Sequence, residues 1–496
     1  MHKYKLSKYQ HNRILLLLVL LFASLRSFSQ IPAALQQGKW IKLGITQAGF
    51  YQINQAWLTK HHIENTSPAK ICIYSAQTGM LNPQDSFQNG LLKPVPAYYQ
   101  KETNSTWNIF FWGESPHTIR QEEFWKQETN LYADSTFYFV QLDATQTNPI
   151  EEIENATSNA SILPYAWSLK HYEPETYNLN QSGQAWLGDA FYGNSSKILQ
   201  YTLSDYFHGQ TAHLAIKLYA SSVSPSTFSI PLLPKPISMT PIIGGRYDLK
   251  ANSEEINTWT TPVLAANDAW NWPISFQSSA GIGYLDFISL MYPKKFDANY
   301  ENPLYLLPNT TDSLLHINMS NLRASQQIWV NNGGLKWQKL RKNQAFSQSF
   351  RPNSRVAIAN LDRMNEPNFC GKVENQNLFD LAADTELLIL STAILETAAH
   401  KLADYKTTQL KIPAKNIQTH TIFNDFSGGK QDVTAIRNFI RYQYQKPGSK
   451  LKYVILLGDA SIDYKGQNTV STALEKSCFV PTYQSEESFH PLLSYA

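Results

Sequence analysis

The chain has 496 residues, room for about three or four domains, and a formal net charge of only +3. With no basic block, it lacks the electrostatic footprint of a nucleic-acid binder. Aromatic residues make up 13%, and proline outnumbers glycine, 25 to 22, which excludes a disordered chain and favours β structure with ordered loops.

At the N-terminus, Lys3, Lys5, Lys8 and Arg13 precede an uncharged apolar run, Ile14 to Leu25. Ser27-Phe28-Ser29-Gln30 then offers a small-x-small cleavage site. This order predicts a secretory signal peptide over residues 1–29 and export from the cytoplasm. The run is short of the roughly 20 residues a membrane span needs. No cysteine follows it closely, which argues against a bacterial lipid anchor. The three cysteines, Cys72, Cys370 and Cys478, are too few and too scattered for a disulfide framework or a zinc site.

From Gln30 to about Phe379 the pattern is strand and loop. Trp40 to Ile45 and Gly49 to Ile53 predict two short strands around a turn, and Ala56 to Lys60 a turn or two of helix. Ile71 to Tyr74, Trp107 to Trp112 and Phe137 to Leu142 predict further strands. Leu199 to Leu203, His213 to Tyr219 and Ile282 to Leu290 alternate with period two, as half-buried antiparallel strands do. Short strands at this spacing predict sandwich-type modules, with a boundary between about Ala160 and Glu175. We therefore expect an N-terminal β-rich domain over 30–160 and sandwich-like domains over 161–379.

The character changes after about Leu378. Glu386 to Leu390 is a continuous apolar strand suited to a sheet buried on both faces. Ser391 or Thr392 is placed to cap a helix through Lys406, with Leu395, Ala398, Leu402 and Tyr405 on one face. Ile417 to Phe423 predicts the next strand and Phe426 to Gln431 a loop. Asp432 caps a second helix, buried through Val433, Ile436, Ile440 and Tyr444 and stopped by Pro447-Gly448. Tyr453 to Leu457 predicts a third buried strand. This β-α-β-α-β order begins a parallel sheet with right-handed crossovers over 380–496, a domain expected to be incomplete at Ala496.

Candidate chemistry is sparse. Gly458-Asp459 ends a predicted parallel strand, where ligand and catalytic groups collect; a turn with Asp459 capping local N–H groups is the competing explanation and the favoured one. Phe426-Ser427-Gly428-Gly429 is either an anion cradle at a helix N-terminus or a flexible connector, with the connector favoured. Asp425, Asp432, Asp459 and Asp463 have no EF-hand spacing and are expected to be solvated surface acids. No metal or cofactor is expected. A thiol protease needs an imidazole beside its cysteine. Cys478 with His490, Cys370 with His400 and the lone His208-Gly209 offer no convincing constellation.

The late segments carry a family resemblance. TIFNDFSGGKQDVTAIRNF, Thr421 to Phe439, resembles a signature of the gingipain-type cysteine peptidases of Bacteroidetes. Leu451 to Lys465 resembles that family's next strand, and Val480 to Ser485 its next block. Upstream, Gly38 to Leu43, Gly49 to Tyr51, Phe110 to Pro116, Ser182 to Asp189 and Gly283 to Phe287 match in family order. The resemblance implies a multidomain β plus α/β chain: β-sandwich-like N-terminal domains, then the first half of a caspase/gingipain-like parallel-sheet domain. It also implies a cell-surface sortase of type IX secretion that removes C-terminal signals by cysteine chemistry. The partners implied are exported proteins with such signals, outer-membrane components of the secretion machinery, and lipopolysaccharide as acceptor. In the family the catalytic His-Gly and Cys follow the Val480 to Ser485 block, so both are expected beyond Ala496. No catalytic residue is therefore assigned, Gly458 and Asp459 are placed at the cleft border, and the chain alone is expected to be inactive. The competing expectation is a non-enzymatic docking module of the same machinery.

Overall fold

The computed structural model describes residues 33–466 and 479–483, apart from 102–105, 155–160, 180–182, 184, 232, 244–249, 261–268, 301–303, 310–312 and 342–344. The signal-peptide segment, Cys478, His490 and Ala496 lie outside the described residues. Among the described residues no helix is long and apolar enough to cross a membrane.

Trp40–Ile45 shows how period two sets the architecture. Its odd residues Ile41, Leu43 and Ile45 point into a core shared with Ile53, Trp57, Ile109, Phe111 and Tyr138. Trp40 points to the opposite face with Leu35 and Phe139. Lys42 shares that second face, and its ammonium reaches the α/β part of the chain (below). The strand lies in a five-stranded sheet ordered Asn368–Val373, Trp40–Ile45, Thr136–Gln141, Cys72–Ser75, Lys93–Pro94. A three-stranded sheet of Gly49–Asn54, Trp107–Gly113 and Ala97–Lys101 closes this sandwich. Its edge strand, Asn368–Val373, comes from more than 300 residues downstream and pairs antiparallel with Trp40–Ile45.

The middle of the chain forms a ten-stranded sheet with two lids. Ser195–Thr202, Ala269–Ser278, Ser226–Ser229 and Ile237–Met239 cover one half, through Trp272, Ile274 and Phe276. Ser161–Ile162, Ser313–Asn318 and Ala345–Phe350 cover the other half, through Leu315, Ile317 and Phe346. The expected half-burial fails for Gly281–Lys294, buried along almost its whole length, and for the first half of Ala212–Ser222; from Lys217 on, the latter strand keeps its alternation. The four-stranded lid covers one face, and the hairpin Thr118–Gln121/Trp125–Glu128 brings Phe124 and Trp125 onto the other. Phe124 stacks on His213 with ring centroids 3.7 Å apart, and burial pushes the His213 imidazole down to about 4.

The α/β part is a three-stranded parallel sheet ordered Ala414–Gln418, Leu387–Ser391, Tyr453–Leu457. The helix Glu396–Thr408 covers one face. Two helices, Thr419–Phe426 and Val433–Gln445, cover the other. Four expectations need correction. The second strand ends at Gln418, and Thr419–Phe426 is helical rather than extended, because Ile422, Phe423 and Phe426 fall together on one core-facing stripe. The first helix buries Ala399 and Ala403, which lie one turn apart facing Leu387 and Ile389 with Leu402 half-buried beside them, while Ala398 and Tyr405 are exposed. The next helix, capped by Asp432 as expected, buries Phe439 and Gln443 while Tyr444 is 67% exposed. Gln443 is held inside by donating to Leu378 O at 2.6 Å. Lastly, Tyr453–Leu457 is a sheet edge, with Tyr453 and Leu456 exposed. Ile455 and Leu457 pack against Ala399 and Ala403 on one face while Val454 and Leu456 are exposed on the other, so the strand is not buried on both faces.

Candidate active-site region

Parallel register brings the carboxyl ends of the three strands together. Ser391 sits beside Gln418 on one side and Leu457 on the other. Ser391 is buried and donates to Asn416 Oδ1 at 2.8 Å. Thr392 follows, with its buried hydroxyl unpartnered among the described residues. Gly458 and Asp459 follow Leu457 at the same edge and are exposed. Asp459 Oδ1 accepts from the N–H of Ala460 at 2.7 Å, and its carbonyl accepts from Val480 N–H at 2.8 Å. That second bond is part of a parallel bridge from Asp459 to Phe479. Asp459 thus shapes a turn at the rim and ties the strand end to a later segment.

The loop after Phe426 is neither a flexible connector nor an anion cradle. It is a buried clasp against the N-terminal sandwich. Lys430 is fully buried, and its ammonium donates to Gln77 O at 2.5 Å and Gly79 O at 2.7 Å. Burial pushes this amine down to about 8. Asp432 accepts from Leu81 N–H at 2.7 Å and Thr434 N–H at 2.8 Å. From the sandwich side, Lys42 donates to Asn424 Oδ1 and Gly429 O, each at 3.2 Å. Gly428 and Gly429 take positive φ, and a Cβ on Gly428 would stand 2.4 Å from Ala76 Cβ. Gly428 lets the loop lie on the Ala76 backbone, and Gly429 leaves room for the Lys42 side chain.

The carboxylates also depart from expectation. Asp425, Asp432 and Asp463 are buried, leaving only Asp459 of the four as an exposed acid. Asp425 accepts from Leu378 N–H at 3.1 Å, and burial pushes its carboxyl up to about 7. Among the described residues no group of three or more His, Cys, Asp or Glu could hold a metal ion.

The Cys–His pairs do not assemble. Cys72 is buried in the N-terminal sandwich, and desolvation raises its thiol. Cys370 lies on the strand that closes that sheet and is exposed, with partial desolvation raising its thiol and Lys42 opposing the rise. His400 is an exposed helix residue 3.6 Å from Glu396. His208 packs on Tyr206 beside the ten-stranded sheet. No described cysteine therefore has an imidazole holding it as thiolate.

Sequence reasoning missed the residues joining the three bodies. Glu114 and Arg355 form a bidentate pair at 2.6 and 3.0 Å between the first sandwich and the ten-stranded sheet. Lys465 lies 2.6 Å from Glu175 and 3.1 Å from Asp134. A lysine or arginine partner hundreds of residues away leaves no local pattern. A polar cleft of about 610 Å³ opens at the same junction, lined by Gln77, Asn82, Arg120, Tyr132, Thr434 and Tyr483 among others.

Residues 380–495 match the family model Peptidase family C25. The crystal structure of dimeric latent PorU from Porphyromonas gingivalis matches with a TM-score of 0.78 at 19% identity, covering 91% of this chain and 44% of that one. The insecticidal delta-endotoxin Cry8Ea1 from Bacillus thuringiensis matches over 45% of this chain and 42% of its own at 10% identity, but its TM-score of 0.19 bears no argument. No curated protein matches the sequence. The chain has a PorU-like multidomain β plus α/β fold, carries a Peptidase family C25 segment, and spans 44% of the PorU chain.

Proposed function

We propose that this chain is the scaffold-bearing part of a gingipain-type cysteine peptidase that works as a C-terminal-signal sortase at the bacterial cell surface. One coincidence carries the proposal: the segment matching the C25 model is the parallel α/β sheet, and it sits on β-sandwiches arranged as in PorU. Its strand ends line up at one edge, with Ser391, Thr392, Gly458 and Asp459 at the rim. In this reading the cysteine nucleophile and its histidine lie on later strands of the same sheet, beyond Ala496. The thiolate attacks the peptide carbonyl, the imidazole protonates the leaving amine, and water or an acceptor amine releases the acyl group. Release by an amine gives transfer rather than hydrolysis. The proposed partners are exported proteins with C-terminal signals, outer-membrane components of the secretion machinery, and lipopolysaccharide as acceptor. The signal peptide, residues 1–29, would deliver the chain across the inner membrane.

The test is peptide-bond cleavage by the complete gene product, using a cargo with an intact C-terminal signal and a thiol-alkylating inhibitor. Inhibitor-sensitive cleavage is expected from the complete protein and none from residues 30–496. Turnover by residues 30–496 alone, or inertness of the complete protein, would overturn the proposal. The cleft of about 610 Å³ between sandwich and α/β part favours a second reading, a docking module that holds cargo without cutting it. Cargo binding by the complete protein without cleavage would select that reading.

A further inference from the structure

The loop Gly458–Gly466 begins exposed at the rim of the parallel sheet and ends buried between the two β bodies. Gly458, Asp459 and Ala460 are exposed, whereas Asp463 and Tyr464 are buried. The Lys465 side chain is only 6% exposed. Its ammonium is held by Glu175 Oε2 at 2.6 Å and Asp134 Oδ1 at 3.1 Å. Asp134 precedes the strand Thr136–Gln141 of the first sandwich, and Glu175 follows the strand Ala166–Tyr172 of the ten-stranded sheet. One lysine thus contacts both β bodies.

Tyr464 adds a second anchor. Its ring packs on Tyr132 with centroids 4.8 Å apart. A Cβ on Gly183 would approach that ring to 2.2 Å, so glycine is required there for the fit. The Tyr464 hydroxyl donates to Thr482 O at 2.8 Å. Together with the bond from Val480 N–H to Asp459 O, this fixes the segment Phe479–Tyr483 against both ends of the loop.

We propose that Lys465 and Tyr464 are positioning residues, through which the β bodies set the geometry of the sheet rim where the peptidase site forms. The inference rests on the peptidase reading and adds the role of the sandwiches to it. Loops at the carboxyl ends of parallel strands carry the ligand-facing groups of open α/β sheets. A buried ion pair adds little net stability over a hydrophobic replacement. What it adds is a specified position: the ammonium meets the largely buried Glu175 carboxylate and the 61% exposed Asp134 carboxylate together at one place only. Misplacing a site by about 1 Å is enough to cost roughly a hundredfold in rate.

The experiment uses the complete protein and a signal-bearing peptide. Lys465→Met is expected to lower kcat by about tenfold or more with a smaller change in KM, and Lys465→Arg to restore it. Lys465→Met/Glu175→Gln removes the stranded carboxylate. It is expected to recover thermal stability without recovering kcat, which a purely structural role would not produce. Hydrogen exchange at residues 458–466 is expected to quicken in Lys465→Met. Wild-type kcat in Lys465→Met would overturn the inference while leaving the peptidase reading standing. Should the wild-type protein cleave nothing, the peptidase reading fails, and unchanged exchange at 458–466 would then overturn the anchoring as well.

Discussion

Asp425 departs from its expected role as a solvated acid. Its carboxyl is buried, accepts Leu378 N–H, and is pushed up to about 7 from the usual carboxylate range. The folded state therefore holds this proton where the unfolded chain has lost it. Between about pH 4 and 7 the native state binds more protons, so stability falls as pH rises, by at most about 1.4 kcal/mol per pH unit. Above pH 7 both states are ionised and the loss is complete. Asp425→Asn keeps an acceptor for Leu378 and carries no charge. Its denaturant midpoint is expected to lose this slope and to match or exceed wild type at pH 8. Asp425→Ala strands the buried Leu378 N–H and is expected to cost about 1–3 kcal/mol at any pH.

At the scale of elements, the helix Val433–Gln445 decides between two faces. Apolar spacing alone predicts a stripe through Val433, Ile436, Ile440 and Tyr444; packing keeps Val433 and Ile436 and turns the far end to Phe439 and Gln443. Phe439 meets Phe426 edge to face at 5.6 Å, inside the core that joins this helix to Thr419–Phe426. Phe439→Ala is expected to cost about 3–5 kcal/mol, and Tyr444→Ala to stay within about 0.5 kcal/mol, read from urea midpoints. The preceding helix is constrained from outside as well. A Cβ on Gly90 would stand 1.8 Å from Phe426 O, a backbone atom that cannot move alone. Gly90→Ala is expected to destabilise by about 1–3 kcal/mol, although Gly90 lies on a turn of the other body, Phe87–Gly90.

For the whole molecule, the bodies are joined by apolar cores with buried polar contacts set among them: Phe50 and Trp112 of the first sandwich pack on Trp329 and Trp337 of the ten-stranded sheet, and Leu81 enters the α/β core. Glu114 and Arg355 are separated by 241 residues and pair bidentately at 10% and 13% exposure. Arg355→Met leaves Glu114 buried and unpaired, and is expected to cost about 3–5 kcal/mol. Glu114→Gln/Arg355→Met is expected to recover much of that loss in a double-mutant cycle. The α/β part depends on its neighbour in the same way. Lys430 and Asp432 satisfy backbone groups of residues 77–81, and Phe426 packs on Phe87. Residues 380–496 expressed alone are therefore expected to melt without a sharp transition, with those groups left unpaired.

Local pattern determined the elements whose signal lies within a few residues. Two short apolar and aromatic runs around a turn marked Trp40 to Ile45 and Gly49 to Ile53 as strands. A continuous apolar run marked Leu387–Ser391 as the central strand, and Asp432 marked its helix start. The ordered matches to gingipain-type peptidases pointed to a fold that the PorU comparison bears out. Tertiary structure alone decided which faces are covered. His213 to Tyr219 alternates in sequence, yet the strand is buried on both sides over Ala212 to Ile216, because a lid covers one face and Phe124 of a distant hairpin packs on His213 at the other. It also decided what the Gly428-Gly429 loop does, since Lys430 finds its acceptors some 350 residues upstream. Period and propensity act over a few residues. Burial and charge pairing act across space, and the desolvation of Lys430, Asp425 and Lys465 exists only once separate parts of the chain have met.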